Sequence, residues 1–79
     1  DRVGLWFDCK TMLYYARRTD RYRVIGAAEV VGEDWDWICI QDVHVTEHPS
    51  VKDVLESRYE VHQRRETIAE RTLLVWRRR

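Results

Sequence analysis

The stretch SVKDVLESRYEVHQRRETIAERTLLVWRRR, residues 50–79, decides the predicted architecture of this chain. It contains no glycine, proline or asparagine. Its apolar residues recur at seven-residue intervals, beginning at Val54, Val61, Ile68 and Val75. Because this spacing places apolar side chains on one face of an α-helix, we predict a long amphipathic C-terminal helix from about residue 50.

The start of this helix is marked by Pro49 and Ser50, with Ser50 as N-cap and Asp53 as the acid of a capping box. A second capping-box pattern, from Thr67 to Glu70, leaves open a break near residue 67. Beyond such a break, residues 72–76 would form either a second helix that folds back or a fifth strand. We prefer the continuous helix because the apolar residues keep their phase across residue 67.

The first fifty residues predict an antiparallel sheet of about four strands, approximately 2–9, 12–18, 21–31 and 35–46. A short helix is the alternative for the second segment. In the last segment the apolar alternation changes phase after Ile40, which predicts a β-bulge near residues 41–42. Helix and sheet segregate along the chain, so we predict an α+β fold in a single domain, residues 1–79.

Opposite charges are segregated along the chain, although 14 basic and 14 acidic residues balance overall. No lysine or arginine lies between Val24 and Val51, where six acidic residues fall. Arginines flank this acidic block on both sides. Two interpretations remain open: the two parts attract each other within one fold, or they meet across a subunit interface.

The length and the cysteines restrict the classes of protein. A chain of 79 residues supports one modest core, and chains of this size often gain stability from a partner. The apolar runs are too short to span a membrane. Cys9 and Cys39 are predicted on opposite faces of the sheet, which predicts no disulfide and, with no signal segment, a cytoplasmic location.

The preferred functional hypothesis is a small non-enzymatic protein-interaction or assembly module, most simply a homo-oligomer. Tryptophans on the outer sheet face and an over-long helix would expose apolar surface, which is typical of a contact surface. The predicted interface residues are Trp6, Trp35, Trp37, Ile68, Val75 and Trp76.

The alternative hypothesis is a module that binds single-stranded nucleic acid. Arginines interleaved with aromatic residues on a hairpin can track the phosphate backbone and stack on bases. The predicted contacts are Arg17, Arg18, Arg21, Arg23, Tyr15 and Tyr22. The zero net charge and the acidic block weigh against this hypothesis.

Neither a metal site nor a catalytic site is predicted. His44, His48 and His62 lack the close local pairs of zinc sites. No glycine-flanked nucleophile turn accompanies the cysteines. A chain this small also has few residues with which to enclose a water-excluded active-site cleft. We therefore predict no catalytic residue and no cofactor.

Overall fold

The computed structural model of the chain describes residues 2–7, 22–66 and 71–79. These ranges form β1 (Val3–Trp6), β2 (Tyr22–Ile25), α1 (Ala27–Gly32), β3 (Trp37–Gln41), α2 (Asp42–Glu47), α3 (Pro49–Arg58), β4 (Tyr59–Glu66) and β5 (Thr72–Arg78). The strands join in one mixed sheet in the order β2-β1-β3-β5-β4. β1 is parallel to β2 and β3, whereas β5 is antiparallel to β3 and β4.

One face of the sheet, here called the helix face, packs under the helices. Side chains of directly paired residues share a face, and this rule places Trp6 with Ile25 and Ile38 with Trp76. Trp6 stacks on the His44 ring of α2 at a centroid distance of 5.7 Å. The buried core includes residues of the helix face together with Val30 of α1 and Val51 and Leu55 of α3.

The opposite face, here called the second face, follows from the same register. Val3 is paired with Tyr22 and Trp37, and Leu5 is paired with Val24 and Cys39. Leu5 and Cys39 are buried, whereas Tyr22 and Val24 on β2 are exposed. Burial on this face therefore decreases toward the β2 edge.

The α+β class is confirmed, but the predicted antiparallel four-strand sheet followed by a long helix is wrong. The sheet has five strands in the described residues and is mixed. The first predicted strand, 2–9, is observed as β1, and residues 8 and 9 lie outside the described ranges. The predicted strand 12–18 also lies outside them.

The predicted strand 21–31 ends early, because the chain turns into α1 after Ile25. The N–H of Gly26 donates to the Glu29 carboxylate at 3.0 Å, and Val30 N–H donates to the Gly26 carbonyl at 3.2 Å. The Glu29 carboxylate thus satisfies the Gly26 N–H, and the Val30–Gly26 bond is the first i to i−4 bond of the helix, which starts at the small residues predicted inside a strand. Glu29 was the sequence signal for the helix start.

The predicted strand 35–46 and its bulge are also corrected. β3 ends at Gln41 and α2 begins at Asp42, so the phase change after Ile40 marks a change from strand to helix. Val45 of α2 is buried. The register irregularity in the described sheet lies instead in β4, between Val61 and Gln63.

The long C-terminal helix is replaced by a short helix and a hairpin. α3 begins at Pro49, with His48 as N-cap and no side-chain cap from Ser50, and it ends at Arg58. Residues 72–76 belong to β5, so the alternative of a fifth strand is correct for them. The physical reason is tertiary. β5 lies between β3 and β4 and pairs with both strands, and a helix in its place could form neither pairing.

Two further expectations concern the cysteines and the membrane. Leu5 and Cys39 are aligned, so they share the second face, and the phase argument that separated Cys9 from Cys39 does not hold. Cys9 itself lies outside the described residues. Among the residues that the structure describes, no helix has the length and apolar character needed to cross a membrane.

Candidate protein interface

Two of the exposed large hydrophobic residues of the described ranges lie on β2, and the other two follow β1 and belong to α1. Tyr22 and Val24 of β2 are 41% and 58% exposed. Phe7, 56% exposed, follows β1, and its N–H donates to the Ile25 carbonyl at 3.2 Å. Val31, 38% exposed, belongs to α1, which follows β2 in the chain. The Phe7 ring lies 6.4 Å from that of His44 in α2, so Phe7 and Val31 lie toward the helix face. Tyr22 and Val24 alone define the β2 edge patch.

β2 is a terminal strand of the described sheet, paired with β1 alone. A terminal strand presents backbone N–H and C=O groups that can pair with another strand. Tyr22 and Val24 project from the second face, because they align with Val3 and Leu5. The β2 edge therefore combines exposed apolar side chains with an accessible backbone.

The other terminal strand, β4, has the features that natural proteins use to prevent edge pairing. Its ladder is interrupted between Val61 and Gln63. Its C-terminal half carries exposed charged residues, Arg64, Arg65 and Glu66. Charges and bulges disfavour pairing with a further strand, so the two edges differ in their capacity to associate.

The tryptophans predicted for the interface are mostly core residues. Trp6, Trp35 and Trp76 are buried. Trp37 and Val75 are partly buried, and Ile68 lies outside the described residues. Because these three tryptophans are buried, they do not form the exposed surface that the interface prediction requires.

The residues predicted for nucleic-acid binding are separated by the structure. Arg17, Arg18, Arg21 and Tyr15 lie outside the described ranges. Tyr22 projects from the second face, while Arg23 aligns with Gly4 on the helix face and lies 3.2 Å from Glu33. The proposed arginine–tyrosine surface is therefore not continuous at these two residues.

Three residues of the acidic block, within residues 33–36, are paired with arginines that precede and follow the block in the chain. This arrangement agrees with the interpretation that the segregated charges attract each other within one fold. The contacts are Glu33 with Arg2 at 2.9 Å and with Arg23 at 3.2 Å, Asp34 with Arg58 at 4.0 Å, and Asp36 with Arg78 at 3.3 Å.

Arg2 and Trp35 reinforce this cluster beside the β2 edge. The Arg2 guanidinium lies 4.5 Å from the centroid of the Trp35 ring, and Arg23 lies 5.9 Å from it. The Arg2 backbone N–H donates to Asp36 at 2.7 Å. This hydrogen bond, followed by the nearby Arg78 guanidinium among other charges, lowers the pKa of Asp36.

The histidines do not form a metal site in the part of the chain that the structure describes. There, no group of three or more histidine, cysteine or acidic residues could hold a metal ion. His44 and His48 both lie against Trp6, and His62 contacts Trp37 edge-to-face at a centroid distance of 5.0 Å. These rings contribute to aromatic packing.

Comparisons with known proteins add no functional information. No protein-family model matches the chain, and no match was found among the curated proteins or the solved structures. The candidate interface therefore rests on the geometry described above.

Sequence reasoning missed the three aliphatic and aromatic residues Phe7, Val24 and Val31. The sequence predicts an ordinary strand at each of these positions, since exposure at a sheet edge depends on strand order. Tyr22 was identified, but for a different function. The pattern Tyr-x-Val was visible, but nothing local shows that it lies on a terminal strand.

Proposed function

We propose that this chain is a non-enzymatic assembly module that self-associates through the β2 edge patch. The observation that carries the proposal is the exposure of Tyr22 and Val24 on the same face of a terminal strand of the described sheet. Exposed apolar side chains on a terminal strand are typical of protein contact sites. A partner also offsets the small core of a short chain.

The contrast between the two sheet edges supports the same proposal. The β4 edge is interrupted and charged, so further pairing there is disfavoured, whereas β2 presents two apolar side chains. Two cysteines are few for a secreted domain of this size, which favours assembly in the cytoplasm.

Sedimentation at several protein concentrations tests this function. The parent chain is expected to form dimers or larger species at micromolar concentration, and Val24→Lys is expected to shift it toward monomer. Gln63→Lys is the matched control, because it adds the same charge to an exposed position on the opposite terminal strand. A parent chain that stays monomeric throughout the range contradicts the proposal.

A second candidate function is binding of single-stranded nucleic acid on the second face. Tyr22, Val3, Trp37 and Arg77 form one cross-strand row, and the His62 ring lies against Trp37. Aromatic rings with arginine on a sheet can stack bases and contact phosphate. A labelled oligothymidine should bind to the parent chain at low salt, and Trp37→Ala should lower the affinity. Absence of binding to the parent chain at low salt excludes this function.

A further inference from the structure

We propose that two copies of the chain pair their β2 strands antiparallel, about a two-fold axis that passes beside Arg23. The two five-stranded sheets would then form one continuous sheet. This inference rests on the proposed self-association and specifies its geometry. Three features of β2 carry it: the direction of its backbone groups, the order of its side chains, and the ion pair of Arg23 with Glu33.

The backbone groups of Tyr22 and Val24 face away from the rest of the sheet. The Ile25 carbonyl accepts a hydrogen bond from Phe7 N–H at 3.2 Å, so the backbone groups of Ile25 face β1. Along an extended strand the N–H and C=O groups alternate between the two sides. Arg23 therefore shares the inward direction of Ile25, while Tyr22 and Val24 present their groups to the open edge.

An antiparallel pairing centred on Arg23 uses these outward groups fully. It places Tyr22 opposite Val24 of the partner subunit, and the same pair repeats across the axis. Outward-facing residues that lie opposite each other exchange both N–H···O=C hydrogen bonds. Each pair also brings an aromatic side chain against a β-branched one on the second face, a favourable cross-strand combination.

The neighbouring antiparallel register, centred on Val24, is less favourable. It would place Tyr22 opposite Gly26 of the partner subunit. The N–H of Gly26 already donates to Glu29 at 3.0 Å, and its carbonyl accepts from Val30 N–H at 3.2 Å. Since the Gly26 N–H is used at the start of α1, it cannot donate to the partner strand, and Arg23 remains the favoured centre.

The charge of Arg23 at the axis is partly compensated within each copy. Two Arg23 side chains would face each other on the helix face, and like charges directly opposite destabilise a sheet. Each Arg23, however, lies 3.2 Å from its own Glu33. Each Glu33 is shared with Arg2 at 2.9 Å, so the carboxylate reduces the repulsion between the two Arg23 side chains without cancelling it.

These features identify a second copy of the chain as the occupant of the edge. β2 supplies both members of the tyrosine–valine pair, with their order inverted by antiparallel pairing. It also brings the carboxylate that compensates its own central charge. An unrelated strand would need to match both the apolar order and the charge.

Disulfide cross-linking of variants that each carry one introduced cysteine tests the register. In a Cys9→Ser background that retains the buried Cys39, we would compare Arg23→Cys, Tyr22→Cys and Val24→Cys after mild oxidation. Directly opposite residues in a non-hydrogen-bonded antiparallel pair have Cα atoms about 4.5 Å apart. A disulfide needs roughly 4.4–6.8 Å, so Arg23→Cys is expected to cross-link efficiently.

Tyr22→Cys and Val24→Cys are each expected to resist cross-linking alone, because their symmetry mates lie diagonally. A mixture of these two variants is expected to cross-link. This mixture also keeps the test decisive if Arg23→Cys fails to fold, which circular dichroism would detect. Two outcomes overturn the register but not self-association. One is cross-linking of Val24→Cys without a second variant, and the other is no cross-linking of any variant in a chain that still sediments as a dimer. A monomeric parent chain overturns both.

Discussion

Arg23 on β2 and Glu33 in the loop after α1 form an ion pair with 3.2 Å between Nη1 and Oε1. The same Glu33 oxygen lies 2.9 Å from Arg2. One carboxylate therefore holds two arginines beside the Trp35 ring and beside the β2 edge. In the proposed dimer this carboxylate offsets the charge of the central residue.

Removing this carboxylate is expected to weaken self-association. Glu33→Gln leaves two Arg23 side chains facing each other without compensation, so the dimer Kd should rise about threefold to fivefold, which corresponds to ~1 kcal/mol. The increase should become smaller at high salt, because salt screens exposed charges. Sedimentation equilibrium measures the Kd, and Glu56→Gln, an exposed change on α3, is the charge-matched control. Equal effects from the two variants would contradict the prediction.

The hydroxyl of Tyr59 is expected to stabilise the fold. The Trp35 backbone N–H donates to it at 3.0 Å, and both residues are buried. Tyr59→Phe leaves this N–H without its acceptor, so the free energy of unfolding should fall by about 1–3 kcal/mol. Urea unfolding measures the change. Tyr22→Phe, which removes an exposed hydroxyl, should stay within ~0.5 kcal/mol of the parent.

Gly4 is required by close packing on the helix face. A Cβ at this position would overlap the Cδ1 of Ile25 and lie 3.2 Å from the Cδ2 of Trp35. Gly4→Ala is therefore expected to destabilise the chain by about 1–3 kcal/mol. Gly32→Ala is the control, since a Cβ there meets nothing within 4 Å. Thermal unfolding should show a lower Tm for the first variant only.

The carboxyls of Glu29 and Asp36 are expected to make stability depend on acid pH. Backbone N–H groups, of Glu29 itself and then of Gly26, lower the pKa of Glu29. The Arg2 backbone N–H, followed by Arg78 among other charges, lowers the pKa of Asp36. The folded chain therefore binds these protons less tightly than the unfolded chain. The stabilisation is present above the ordinary values of 4.5 and 3.8 and is lost as pH falls through the lower folded values.

Replacing these carboxyls should flatten the pH dependence. Glu29→Gln combined with Asp36→Asn should lower stability near neutral pH and lose less stability than the parent on acidification below about pH 4.5. Chemical unfolding at a series of pH values measures both effects. Lys52→Gln changes one exposed charge without removing a carboxyl, and its curve should run parallel to the parent curve. A double variant with the parent's acid dependence would refute the assignment.

Local signals predicted some parts of the fold correctly. The alternation at Val3 and Leu5 indicated β1, and Pro49 marked the start of α3 to within one residue. These features depend on residues close in sequence, whose effect on the backbone is direct. The sequence predicts a helix where the C-terminal strands lie, because apolar residues seven positions apart fit one face of a helix when the tertiary contacts are not known. In β5, Val75 and Trp76 instead project to opposite faces of a sheet.

By itself, the sequence determined that the chain has α+β content, a modest core, and separated acidic and basic segments. The tertiary structure alone decided which strand lies at the edge and which aromatic residues are buried. Trp6 is enclosed by α2, whereas Tyr22 and Val24 are exposed because β2 ends the described sheet. Strand order depends on pairing between distant segments, whose free energy is shared across the sheet and leaves no local signature in β2.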